Sequence, residues 1–194
     1  MAIARPPQRV RLLTYEAYIA EGEVLARYDI IDGERLFMTN PTRWHQDVQS
    51  NLADILKAYG RRTGRGRMYL APCDILISRQ PLRTRQPDVL FISNEQLALN
   101  GSKYEAAPLT AAPELVVEIV SPSNSPRNLE AAIADYRSVG VKECWLVDLV
   151  ERTVEVLQLS ENSAESAGTF AVGDEFTSVA FTNLSVCVAE IFAE

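Results

Sequence analysis

Histidine is almost missing from this 194-residue chain, which has one, His45. That scarcity excludes zinc sites built on two or three histidines. With no GxSxG segment present either, a Ser/His/Asp hydrolase has no support. Cysteine is nearly as rare: Cys73, Cys144 and Cys187 lie far apart and without CxxC spacing. An odd number of cysteines in apolar surroundings reads as reduced core thiols, not as a disulfide framework or a zinc site. Neither a P-loop nor a GxGxxG loop occurs. No apolar run approaches the ~20 residues that span a bilayer, and residues 1–10 carry Arg5 and Arg9 without an apolar signal-peptide core. The expectation is a cytoplasmic protein with no membrane partner. Net basic charge is also lacking, the formal balance being -7. Basic residues concentrate locally in residues 57–67 and again at Arg79, Arg83 and Arg85. Such a group is either a solvated helix end or a phosphate contact.

What the chain does have is enough apolar material, 47% of residues, for the core of one domain spanning 1–194. Thr14 before Tyr15-Glu16-Ala17-Tyr18-Ile19 predicts a capped short helix closed by Gly22. Asp32-Gly33 between two apolar runs predicts a hairpin over residues 28–38. Val48, Leu52, Ile55, Leu56 and Tyr59 recur at helical spacing, with Gly60 and Gly64 as the end signals. Strands are expected at 68–70, 74–78 and 88–92, then a loop over 94–113, then a strand at 114–120 stopped by Ser121-Pro122. A helix over 128–139 follows, closed by Gly140, then strands at 143–147 and 154–159, a polar stretch at 160–166 and a short β-rich tail ending near a helix at 185–192. This order predicts an α/β fold with a mixed central sheet flanked by helices.

One acid stands in the wrong place. Glu118 interrupts Leu115-Val116-Val117-Glu118-Ile119-Val120, a run that reads as a strand buried on both faces. An isolated carboxylate there costs on the order of several kcal/mol unless it protonates, pairs or binds a cation. Asp88, in Gln86-Pro87-Asp88-Val89-Leu90-Phe91-Ile92, is a second acid of the same kind. Each has a structural alternative: Asp88 as a loop cap at a strand end, Glu118 in a buried Glu–Arg pair. Together they suit one hard divalent cation, Mg²⁺ or Mn²⁺, which takes a few carboxylate oxygens plus water. Asp29 lies in a hairpin strand that could approach the same place, or it is an exposed strand acid. His45 alone reads as a hydrogen-bonded residue before it reads as a ligand.

These residues carry a resemblance. The ordered set comprises Tyr28-Asp29-Ile30-Ile31-Asp32-Gly33-Glu34, His45 in a helix, Pro87-Asp88-Val89 and Leu115-Val116-Val117-Glu118-Ile119-Val120-Ser121-Pro122-Ser123. It ends with Tyr136-x-x-x-Gly140-Val141-Lys142-Glu143-Cys144-Trp145-Leu146-Val147-Asp148. Over about residues 14–160 the set resembles the Uma2 (DUF820) family, a branch of the PD-(D/E)xK restriction-endonuclease-like superfamily. The resemblance implies a restriction-endonuclease-like core with a short β/α C-terminal extension. It further implies Asp88, Glu118 and Asp29 as catalytic residues, the first two as ligands to Mg²⁺ or Mn²⁺. DNA as substrate and a homodimer are also implied.

The chain departs from the family pattern at three places. Asp29 stands where the family has Glu, Asn128 where it has Asp, and Ala132 where it has the helix lysine. In this fold type that lysine is expected to orient or activate the attacking water, a role whose loss costs on the order of 10²-fold in rate. Arg127 and Lys142 are the sequence's candidates to replace it. Two readings stay open: a metal-dependent endonuclease hydrolysing DNA phosphodiesters, and a catalytically silent relative kept for binding or assembly.

Overall fold

The computed structural model describes residues 12–102, 106–120 and 126–194. The leader reading of residues 1–10 and the Ser121-Pro122 strand stop fall outside them. In order come α1 (Tyr15–Glu21), β1 (Tyr28–Ile31), β2 (Glu34–Phe37), α2 (Arg43–Thr63), β3 (Gly66–Leu70), β4 (Ile75–Arg79), β5 (Leu82–Arg85) and β6 (Val89–Ser93). Then follow α3 (Asn94–Ala98), β7 (Leu115–Val120), α4 (Pro126–Ser138), β8 (Glu143–Asp148), β9 (Thr153–Leu159), β10 (Ala164–Ala171), β11 (Glu175–Thr177), β12 (Ser185–Cys187) and α5 (Val188–Ile191).

The central sheet has six strands in the order β10-β9-β8-β7-β6-β3. Only β7 and β8 pair in parallel, joined through α4; the other pairs are antiparallel. A second, four-stranded sheet runs β2-β1-β5-β4. Both faces of the central sheet are covered, as the aliphatic run at 115–120 requires. Val89, Phe91, Leu115, Val117 and Ile119 pack with Val48, Leu52, Leu56 and Tyr59 of α2. Leu90, Ile92, Val116 and Cys144 pack on the other side with Ala132 and Tyr136 of α4. The four-stranded sheet alternates more sharply. Tyr28, Ile30 and Leu82 meet Tyr18 of α1, so the intervening Asp29, Arg83 and Arg85 face the opposite way, toward α4.

Local signals act as expected at several points. Thr14 accepts from the Ala17 amide at the start of α1, and the structure adds a second cap of the same kind, Thr42 accepting from the His45 amide at the start of α2. Asp32 and Gly33 both take positive φ, 53° and 83°, the requirement of the tight hairpin turn.

Elsewhere the chain differs from its sequence reading. Gly60 does not end α2, which runs on to Thr63 and closes at Gly64 with φ 65°. Gly60 is there for space: a Cβ on it would lie 2.9 Å from the Gly66 carbonyl oxygen and 3.2 Å from the Phe91 ring. Gly60→Ala is therefore expected to lower stability by about 1 kcal/mol in a urea melt, although alanine is the better helix former by about as much. The stretch from Arg79 to Arg85, noted only for its charge, contains β5, whose arginines occupy the inner face of a period-two pattern. The 94–113 loop opens with α3, the polar 160–166 stretch runs into β10, and the tail helix is β12 followed by the single turn of α5.

Candidate active site

The β6–β7 ladder pairs Val89 with Val117, Leu90 with Val116 and Phe91 with Leu115. One step further along that register sets Asp88 opposite Glu118, and directly opposed residues share a face of the sheet. The face is the one under α4, where the Tyr136 hydroxyl donates to Glu118 Oε1. Asp88 is fixed from three directions. Its Oδ2 accepts from the Ile119 amide (2.7 Å), while its Oδ1 lies 2.7 Å from Arg27 Nη1 and 3.4 Å from His45 Nε2. Gln49, one turn further along α2 than His45, holds the Asp88 carbonyl at 2.8 Å.

The second sheet completes the surroundings. Asp29 on β1 accepts from Arg85 Nη1 at 2.7 Å and from the Gln86 amide at 3.1 Å. Arg85 turns its Nε to Asp135 of α4 at 2.7 Å, and Arg83 Nη1 meets the other Asp135 oxygen at 3.0 Å. Three arginines thus answer three aspartates. Glu118 is the fourth acid, and among the described residues no arginine, lysine or histidine forms an ion pair with it.

Electrostatics separate the two central acids. Burial works against ionisation of Asp88, but the His45 contact, the Arg27 charge and the Ile119 amide outweigh it and hold this carboxyl below its ordinary value. Burial pushes Glu118 up to about 8, the charges of Asp88 and Asp29 add to the rise, and the Tyr136 hydrogen bond and Arg27 oppose it. Burial and the Glu118 charge in turn keep Tyr136 protonated, as donor to Glu118.

The sequence candidates fare unevenly in space. Asp88, Glu118 and Asp29 come together, and His45, whose role the sequence left open, stands against Asp88. The buried Glu–Arg alternative does not hold for Glu118, whose partner is a tyrosine. Ala132 is 8% exposed in the apolar core under α4, so no ammonium comes from that position. Neither proposed replacement forms an ion pair with Asp88 or Glu118 among the described residues. The Lys142 amide binds the Glu114 carbonyl, beyond the far end of β7. Arg127 is exposed and nine residues before Tyr136, about 13 Å along the helix. The basic cluster at 57–67 is also remote, starting roughly 18 Å along α2 from His45. Its Arg62 and Arg65 bind Asn183 O and Thr182 Oγ1.

Sequence reasoning missed Arg27 and Asp135 altogether and took Arg83 and Arg85 as solvated charge or a phosphate contact, not as buried partners of aspartates. Asp135 did carry a signal, an acid beside Ala132 and Tyr136 on the buried face of α4. Two surface cavities, of about 320 and 580 Å³, open elsewhere, the first beside Tyr18 and Asp74 and the second beside Asn94 and Leu109. The carboxylate pair lines neither.

For a divalent cation, the donors on offer are Asp88 Oδ1 and Glu118 Oε2. No group of three or more His, Cys, Asp and Glu fit to hold an ion occurs among the described residues. Two carboxylates with water filling the remaining positions is a fit for Mg²⁺ or Mn²⁺, and not for zinc. Glu118, an acid without an ion-pair partner among the described residues, is the observation that favours the fit.

A mixed sheet with helices on both faces and an acid pair at one end of adjacent strands defines a nuclease-like α/β protein. The family model for Uma2, described as "Putative restriction endonuclease", matches residues 14–189, and the chain belongs to that family. A solved structure from Anabaena variabilis, "a putative nuclease belonging to DUF820", shares the fold with a TM-score of 0.75. It is 18% identical, the match covering 93% of this chain and 98% of that one. Among curated proteins there is no match.

Proposed function

We propose that this protein is a metal-dependent endonuclease that hydrolyses DNA phosphodiester bonds, with Asp88 and Glu118 as the ligands of Mg²⁺ or Mn²⁺ and Asp29 in support. The observation that carries the reading is the Glu118 carboxyl, with which no cationic side chain among the described residues forms an ion pair although Asp88 and Asp29 both act on it. A bound ion would supply Lewis acidity toward a phosphoryl oxygen and acidify water beside it. The chain's own groups do the holding. The Ile119 amide aims Asp88. The Tyr136 hydroxyl fixes one Glu118 oxygen and leaves the other to face the site. Asp29 anchors Arg85, and through it Asp135, so that α4 stays docked over the acid pair. Family membership supports DNA as substrate and a homodimer. No helix among the described residues is long and apolar enough to cross a membrane.

A second reading, a catalytically silent nuclease fold kept for binding or assembly, is favoured by Ala132, whose methyl group contributes packing and no proton or charge. Supercoiled plasmid with Mn²⁺ separates the two. The endonuclease reading expects the wild type to nick, and Glu118→Ala to lose on the order of 10²-fold or more in rate. Equal nicking by both proteins, or none by either, rejects it. Nicking gained only on Ala132→Lys selects the silent relative.

A further inference from the structure

We infer that Arg27 is the resident counter-cation of the acid pair, and that it must release Asp88 before a divalent ion can bind there. Arg27 then sets the affinity of the site for metal. This inference rests on the metal reading of Asp88 and Glu118 given above. It starts from the two oxygens of one carboxylate. Oδ2 is committed to the Ile119 amide, which leaves Oδ1 as the oxygen a metal would use. That oxygen lies 2.7 Å from Arg27 Nη1. A guanidinium does not deprotonate in a protein, so Arg27 can make way only by moving.

Arg27 is built to move in a way that Arg85 is not. Arg85 binds two separate carboxylates, through Nε and through Nη1, each at 2.7 Å, and its side chain is 8% exposed. Arg27 has the one carboxylate, a long 3.4 Å contact from Nη2 to the Gln86 carbonyl, and a side chain 21% exposed. Its Nε and the Asp88 Oδ1 are both buried without a hydrogen bond among the described residues. The pair is held by charge, not by a directed network. Arg27 also ends residues 22–27, a segment with neither helix nor strand between α1 and β1. Guanidinium and dication repel at such separations, so one of them occupies Oδ1 at a time.

Isothermal titration of the metal-free protein with Mn²⁺ tests this, with folding of each variant checked by circular dichroism. Arg27→Gln is expected to bind Mn²⁺ at least tenfold tighter than the wild type, about 1.4 kcal/mol. Arg27→Lys, which keeps the charge, is expected to stay within about threefold. Asp88→Asn is expected to lose binding. Equal affinities for the wild type and Arg27→Gln, with binding lost in Asp88→Asn, overturn the role of Arg27 and leave the metal reading standing. No binding by either the wild type or Arg27→Gln overturns both. Should Arg27→Gln fail to fold, amide exchange in the wild type decides. Saturating Mn²⁺ is expected to speed exchange over residues 22–27 and to leave the Ile119 amide protected. Unchanged exchange over 22–27 overturns the inference.

Discussion

Replacing Arg85 with alanine is expected to lower the unfolding free energy by about 3–5 kcal/mol, the loss that follows when one partner of a buried ion pair is removed. The side chain is 8% exposed, and the carboxylates it joins are 15% and 10% exposed. Without the guanidinium, Asp29 keeps only the Gln86 amide and Asp135 keeps only Arg83. Two half-dry carboxylates would then face a site that already holds Asp88 and Glu118. Urea denaturation measures it. A loss below about 1 kcal/mol would place the bridge in the class of solvent-screened surface pairs and remove it as the clasp between α4 and the second sheet.

That clasp was largely hidden in the sequence, for a physical reason. Signals that act over a few residues were legible: the Thr14 cap, the Asp32-Gly33 turn, the apolar stripe of α2. So was the pair of acids, since a carboxylate inside an aliphatic strand is conspicuous without knowing what surrounds it. Arg27 carries no such mark. It follows Val24-Leu25-Ala26 in a short segment without periodicity, and only the fold brings it to Asp88, 61 positions later in the chain. In β5 the alternation of Leu82 and Thr84 with Arg83 and Arg85 was present, but inward arginines read as outward ones until their partners are known. Edge strand β10, built from Ala, Glu, Ser, Gly and Thr with a single Phe, has weak strand preference and follows β9 by hairpin pairing. Whether Lys142 or Arg127 stands near the acids is set by register and helix rise, which composition does not carry.

The pH dependence of stability is expected to carry the imprint of Glu118. Its ordinary value is 4.5 and its value in the folded protein is about 8. Between those two points the folded state binds more protons than the unfolded state, so stability falls as pH rises, and the fall is complete above about 8. Asp88 is shifted the other way, below 3.8, so its contribution is lost only in acid, outside that window. Glu118→Gln removes the slope. In the absence of metal the variant is expected to match the wild type near pH 5 and to exceed it near pH 9 by on the order of 1–3 kcal/mol, discounted for the partial exposure of the side chain. Thermal melts across this range in chelator provide the measurement, and parallel curves for the two proteins would refute the shift. Mn²⁺ should invert the order at high pH, since an ion that binds the ionised carboxylate stabilises only the protein that has one. The same Glu118 charge that weakens the metal-free protein in alkali is thus the charge the proposed site uses to bind its metal.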